Sequence, residues 1–464
     1  MSRRVSPRAY ALAAFLVLVL CVVVTSGDAG SKVANPLITR DGSGELSTFD
    51  KNGGIDISNP FFQNLGSNGR TCNSCHVSSE AWTVTPAGIQ ARFQSSHGTD
   101  PIFRPVDGAN CPSAPVSTEA ERASSYRLLL SKGLIRISLP VPANAEFTIV
   151  DIDDPYNCAE TTTTTPAFYR RPLPSTNLGF LSTVMWDGRE SGGGKSMEAS
   201  LASQAIDATT GHAEAATPPT QQQVQQIIAF EKGIFTAQSS DTLAGTLNAR
   251  NATGGPISLS KQDFFLGIND PLGGNPTGAA FDPLTFTTFN AWQNLTGSDN
   301  ANRARRAIAR GQALFNTLPI PITGVAGLND TLNMPVINGF CTTCHDTPNA
   351  GNHSVSLAID IGVTDSAPQR PLDVTGLPIY TVVCNATSQL YRVTDIGRAM
   401  VTGHCADIGK TKGPVLRALS ARAPYFHNGS AATLDEAVEF YNQRFSLNLT
   451  QQQKSDLVAF LKSL

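Results

Sequence analysis

The chain has 464 residues, long for a single hydrophobic core and suited to two or three units. A net charge of −3, with only 15% of residues charged, excludes the basic field that nucleic acid requires. The 39 Gly and 29 Pro point to long ordered loops around modest elements.

Residues 1–29 read as a secretory signal. Arg3 and Arg4 precede the apolar run Ala11–Thr25, and small residues follow around Ser26–Gly30. A retained anchor is the alternative reading of the same run. Cys21 follows Leu20 there, where a lipobox wants a small residue, and is lost with the signal. No other stretch is long and apolar enough to span a bilayer, so no stable membrane span is expected. The mature chain is expected in the periplasm or otherwise exported.

Residues 30–65 form a Gly-, Asn- and Ser-rich extension expected to wrap the first domain. Next comes Cys72-Asn-Ser-Cys75-His76, the signature of c-type haem attachment, in which two thiols bond the vinyl groups and the His supplies an axial ligand. The spacing predicts a helix over 123–134, strands over 134–139 and 146–152, and helices over 197–208 and 220–236. Residues 240–285 read as a linking or decorating loop. A helix is predicted over 302–315, and the haem signature then recurs at Cys341-Thr-Thr-Cys344-His345. Two further helices are predicted over 434–445 and 451–464. The fold class expected is mainly α: two cytochrome c-like haem domains, residues 66–300 and 301–464, with long loops and insertions.

Four mature cysteines lie outside the haem motifs: Cys111, Cys158, Cys384 and Cys405. Export favours disulfides, and three pairings are open. Sequence-local pairing gives Cys111–Cys158 and Cys384–Cys405; four isolated thiols are the bland alternative.

Further blocks accompany the two motifs: Trp186-Asp-Gly-Arg189 with Gln204-Ala205, Gly311-Gln-Ala-Leu-Phe315, and Asp395-Ile-Gly-Arg-Ala399. The last is Ala423-Pro-Tyr-Phe-His-Asn-Gly429, running into Thr433–Tyr441. In this order they resemble the di-haem cytochrome c peroxidase family, including the MauG-like relative that modifies a tryptophan in methylamine dehydrogenase. The resemblance covers roughly residues 65–464 in pieces. It implies two covalent haem c groups, with His76 proximal on the peroxide-reactive iron, His345 holding the electron-transfer iron, and Trp186 coupling them. It implies a periplasmic peroxidase or oxidase that reduces hydrogen peroxide at the N-terminal haem with electrons from the C-terminal one.

By position, the family's acid–base carboxylate falls on Glu214, with His212 as a competing acid–base group or distal ligand. The sixth ligand of the second iron falls on Tyr441, as in the tryptophan-modifying relative; Met400 and Met334 compete. Arg189 is expected at a haem propionate, His427 at a propionate or the domain interface, and His97, His353 and His404 in structural roles. One calcium ion is admitted near Ser420 and Arg422, although Arg422 would add positive charge close to it. A small redox protein as donor, an organic substrate, and the homodimer formed by the peroxidases are partners the resemblance admits. The competing readings are a di-haem oxygenase acting on an organic substrate and a non-enzymatic two-haem electron carrier.

Overall fold

The computed structural model describes residues 32–464; the expected signal and Cys21 lie outside the described residues. The described chain opens on a hairpin, β1 (Leu37–Asp41) and β2 (Gly44–Asp50), paired antiparallel. Asp41 Oδ1 closes the turn by accepting the N–H groups of Ser43 and Gly44, both at 2.8 Å.

Beyond the first haem motif, α1 (Pro86–Ser96) starts at Thr85, whose hydroxyl accepts the Gly88 N–H. The helix expected over 123–134 is two helices, α2 (Glu119–Ser125) and α3 (Arg127–Lys132), broken at the buried Tyr126. The strands β3 (Ile135–Ser138), β4 (Phe147–Asp153) and β5 (Ala167–Arg170) follow, with β3 antiparallel to β5. Then α4 (Met197–Gly211) packs on α5 (Gln221–Gly233). The helix expected to reach residue 236 stops at Gly233, because Ile234-Phe235-Thr236 are strand formers that begin β6 (Ile234–Asp241). β6 pairs with β2, and β7 (Gly245–Thr246) completes a sheet in the order β1-β2-β6-β7. The N-terminal extension thus becomes part of the first unit's framework.

The loop after β7 contains the short α6 (Pro256–Leu259), then buries Phe286, Phe289 and Trp292 against α7 (Asn300–Thr317). A hairpin of β8 (Ile320–Thr323) and β9 (Val336–Gly339) leads into the second haem motif. Next come β10 (Ala358–Ile359), β11 (Ile379–Cys384), β12 (Leu390–Val393), the single turn α8 (Ala399–Thr402) and β13 (Thr411–Lys412). Finally α9 (Leu434–Arg444) packs on α10 (Gln451–Lys462), which returns to α7. α7 and α10 cross closely at Gly311, where a Cβ would collide with the Asp456 carbonyl, so the block around Gly311 is a packing requirement. Phe315 and Phe460 fill the contact, each worth about 1.5–3 kcal/mol of burial.

The mainly α expectation is corrected to a mixed α/β fold. The segments between the helices carry alternating apolar and β-branched runs, such as Phe147/Ile149 and Tyr380/Val382, whose buried faces assemble as small antiparallel sheets. One sheet, β12-β11-β4, joins strands from both halves of the chain. Another apolar cluster also mixes halves, uniting Leu178, Val184 and Leu201 with Ala350 and Val415. Both sequence-local disulfides are formed, Cys111–Cys158 and Cys384–Cys405, with Cα separations of 5.4 and 5.9 Å.

Candidate functional site

The two Cys-Xaa-Xaa-Cys-His segments fold alike. Each makes one 3₁₀ turn, Cys72–Ser74 and Cys341–Thr343, and returns the His N–H to the first Cys carbonyl at 3.0 and 3.1 Å. A hydroxyl at the turn's third position, Ser74 or Thr343, accepts the N–H just ahead of the motif at 3.0 Å. Each imidazole Nδ1 then bonds a backbone carbonyl six residues on: His76 to Trp82 at 3.0 Å and His345 to Gly351 at 2.9 Å. A carbonyl only accepts, so Nδ1 carries the proton and Nε2 keeps its lone pair for a metal. Burial pushes both imidazoles down to about 4, which keeps them neutral. Trp82 is itself pinned to the N-terminal hairpin, its Nε1 donating to Thr48 Oγ1 at 2.9 Å.

His76 opens onto a cavity with an empty volume of about 1620 Å³, including its open mouth. Its lining combines apolar side chains, among them Leu178, Leu201, Ala205 and Ile227, with several cations. Lys412 is buried there with one marginal bond to its neighbour's carbonyl at 3.5 Å; burial, then Arg422, lowers its ammonium to about 7. Arg417 is also buried, its Nη1 lacks a partner, and burial lowers it to about 9. Two buried cations without counter-ions cost stability unless an anion joins them. A flat apolar group with two carboxylates, attached at Cys72 and Cys75, fits this donor set. The site therefore suits haem c.

Trp186 lines the same cavity. Its Nε1 donates to the Arg171 carbonyl at 2.8 Å, its own carbonyl accepts the Lys412 N–H at 2.9 Å, and its ring meets His427 edge-on at 6.1 Å. Beneath it, Asp187 is buried between Arg170 and Arg189; burial would raise its carboxyl, but the two guanidinium groups overcome this and hold it at about 2. Arg170 also grips Asp395 through two bonds, 2.7 and 2.8 Å. His427 Nε2 sits 3.6 Å from Asp395 without a hydrogen bond, and burial lowers its imidazole to about 4. Arg189 lines the cavity while paired to Asp187 at 3.1 Å. The segment after Lys412 continues toward the second motif: Leu416 N–H bonds the Ala350 carbonyl at 3.0 Å, next to the Gly351 that holds His345.

At the cavity's other end, His212 Nδ1 bonds Asp107, and Asp107 pairs with the buried Arg70 just ahead of Cys72. Burial would raise the Asp107 carboxyl, but His212 and Arg70 lower it. Glu214 lies outside the lining, exposed, with its carboxylate accepting from Asn68 at 2.8 Å. A carboxyl group that sequence reading missed, Glu231 on α5, does line the cavity. It is buried, its Oε2 has no partner, and burial pushes it up to about 8. Its only visible signal is a Glu following Phe230 at the end of an apolar helix face.

Tyr441 on α9 packs in the apolar cluster that contains Cys341 and Cys344. Among the described residues its hydroxyl has no hydrogen-bond partner; burial, then the neighbouring Cys344 and Cys341, raises its phenol. Met400 lies in the separate core of the β11 sheet, and Met334 is exposed. His97 and His404 are exposed and bonded to Glu119 and Glu146, and the buried His353 lies 3.1 Å from Asp346. Ser420 is spent on Asp41 and Gln238, both at 2.7 Å. No described helix is long and apolar enough to cross a membrane.

No family profile matches the chain. A cytochrome-c peroxidase, IdrP2, of Denitromonas iodatirespirans is 32% identical over 135 residues, covering 27% of this chain and 36% of the relative. IdrP1 of the same organism is 30% identical over 200 residues, 39% of this chain and 45% of the relative. Cytochrome c551 peroxidase of Nitrosomonas europaea is 47% identical over 70 residues, 15% of this chain and 21% of the relative. The chain thus spans less than half the length of these relatives. Among solved structures, a MauG-like protein associated with microbial copper homeostasis aligns over 95% of both chains at 15% identity and TM-score 0.35, too loose to carry an argument.

Proposed function

We propose that this chain, which belongs to the di-haem cytochrome c peroxidase and MauG-like family, is an exported di-haem oxidoreductase that reduces hydrogen peroxide in the cavity beside His76. With both haems bound, electrons would enter at the His345 side and pass by Trp186. The observation that carries this reading is the inequality of the two motifs: His76 faces a cavity, whereas Tyr441 packs over Cys341 and Cys344.

When bound, haem supplies one-electron redox chemistry and an iron position at which peroxide is cleaved. The chain's own groups hold it and move protons. His76 and His345 would hold the two irons through their Nε2 atoms, and Lys412 and Arg417 would neutralise propionate charge. Peroxide cleavage needs a proton taken from one oxygen and returned to the other. His212 is best placed for this: Asp107 holds its Nδ1–H, leaving Nε2 to accept and return the proton. Glu214 fills that role only after leaving Asn68 and turning inward. Trp186 is held at the cavity edge by Arg171, with its polar atom satisfied and its ring free to relay electrons. Tyr441 would supply the second iron with an oxygen ligand, and such a ligand would favour oxidised states over those of a high-potential carrier.

Electron paramagnetic resonance of the holoprotein, titrated with peroxide, tests the reading. One high-spin and one low-spin haem, with a two-electron oxidised product per peroxide, is the expected result. Two low-spin haems inert to peroxide would leave only an electron carrier.

A further inference from the structure

Arg171 is buried, yet it forms no ion pair with a carboxylate within 4 Å among the described residues. Its guanidinium is instead surrounded by backbone carbonyls from three separate segments. Nη1 donates to Lys132 at 2.8 Å, and Nη2 donates to Val84 at 2.7 Å and Arg422 at 3.2 Å. The backbone of the same residue continues the junction: its N–H bonds the His427 carbonyl at 2.7 Å, and its carbonyl takes the Trp186 indole N–H. One residue therefore ties the first unit, the Pro-Tyr-Phe-His block and the bridging tryptophan together.

Converging carbonyl dipoles without carboxylates form a cage for a cation, the arrangement that hard ions such as calcium occupy in other proteins. The sequence admits a calcium ion near this place, beside Ser420 and Arg422, with the Arg422 charge against it. The residues do not fit it. The Arg422 carbonyl is already taken by Arg171, and Ser420 is turned to Asp41 and Gln238. The buried Arg422 guanidinium lies close enough to lower Arg171, after burial, to about 10, and would repel a divalent ion. Glu80 and Tyr425 are the groups that oppose it, and Glu80 is committed to the Thr85 N–H.

We propose that Arg171 is a built-in structural cation that replaces calcium at this junction and positions Trp186, so that the di-haem protein works without a divalent ion. This holds whatever the haems turn over, because it concerns only the junction and its contact with Trp186.

The test uses holoprotein, dialysed against EGTA and then supplied with calcium chloride. Metal content, melting temperature and the optical spectrum of the half-reduced protein are recorded at each stage. A ligand that binds the native state raises the melting temperature by mass action, so an absent site leaves it unmoved. The wild type is expected to carry no stoichiometric calcium and to show the same melting temperature and spectrum throughout. Loss of stability in EGTA, restored by calcium, would overturn the proposal. Arg171→Met frees three carbonyls; it is expected to melt lower, to change the distribution of electrons between the haems through Trp186, and to regain part of both with calcium. Arg171→Met matching the wild type in melting and half-reduced spectrum would also overturn it. Should that variant not fold, the wild-type calcium measurement decides alone, with Arg171→Lys expected to remain indifferent to EGTA.

Discussion

Trp186 and His427 meet edge to face at 6.1 Å, and neither ring is free to choose another neighbour. The Trp186 indole is bonded to Arg171, while the His427 ring lies over Asp395 and is kept neutral by burial. The Asp187–Arg170–Asp395 chain beneath them is buried and fully paired. A buried network of this kind specifies one geometry, and breaking one partner costs about 3–5 kcal/mol. The Trp-Asp-Gly-Arg block and the Asp395 block, far apart in sequence, are therefore one structural unit whose upper surface is Trp186.

Trp186→Phe keeps an aromatic ring but removes one ring of the indole together with its N–H bond to Arg171. The expected cost in stability is about 1–3 kcal/mol, one hydrogen bond plus the volume lost from a half-buried site. If the proposed relay between the haems runs through the indole, peroxide turnover should fall far more than stability. Stopped-flow reduction with a chemical donor, compared with thermal melting, checks this. A fall in melting temperature with unchanged turnover would reduce Trp186 to a core residue.

Tyr441→Phe separates ligand from packing. The hydroxyl has no hydrogen-bond partner, so its removal should cost less than about 1 kcal/mol. The low-spin resonance of the second haem should nevertheless disappear, and its reduction potential should rise. An unchanged resonance spectrum would return Tyr441 to the apolar cluster as an ordinary aromatic.

Much of this arrangement was legible in the chain itself. The two haem motifs, the local disulfides and the helices ending near residues 317, 444 and 462 follow from short-range chemistry: fixed spacings, caps and apolar periods. The sheets were underread because pairs such as β4 with β11 join strands more than two hundred residues apart. Glu231, Lys412 and Arg417 were missed for a related reason. Each looks like an ordinary surface charge until tertiary packing buries it, and only burial without a counter-charge among the described residues marks it as part of a site. Counting along a motif names Glu214 but not its setting: the residue has a left-handed backbone (φ 52°), is exposed and accepts a bond from Asn68.

His212→Ala should lower the rate of peroxide cleavage by about 10²- to 10⁴-fold, the usual worth of a placed acid–base group. Its effect on melting should be small, since His212 is half exposed at the cavity mouth. Asp107→Asn is a harsher change, because it also leaves Arg70 buried without its carboxylate. Rapid-mixing kinetics across pH, with Glu214→Gln as the companion variant, separates the two candidates. A Glu214→Gln rate as low as that of His212→Ala would shift the proton-transfer role to the carboxylate.

Lys412→Met should lower the reduction potential of the first haem. Removing a positive charge beside the porphyrin leaves the oxidised iron less disfavoured, and burial magnifies the effect. Spectroelectrochemical titration of holoprotein gives the shift directly. An upward shift would place the ammonium away from the haem.

Glu231 gives the sharpest dependence on pH. Burial moves its carboxyl from the ordinary 4.5 up to about 8, so the folded protein holds this proton after the unfolded chain has lost it. Between those values the native state binds more protons than the unfolded state, and stability falls as pH rises. The contribution is intact below about 4.5 and fully lost above about 8. Glu231→Gln keeps the shape and removes the ionisation. The variant should melt higher than the wild type at pH 8 and converge with it near pH 5, in holoprotein scanned by calorimetry. Parallel melting curves across that range would mean that Glu231 meets a cation once haem is in place.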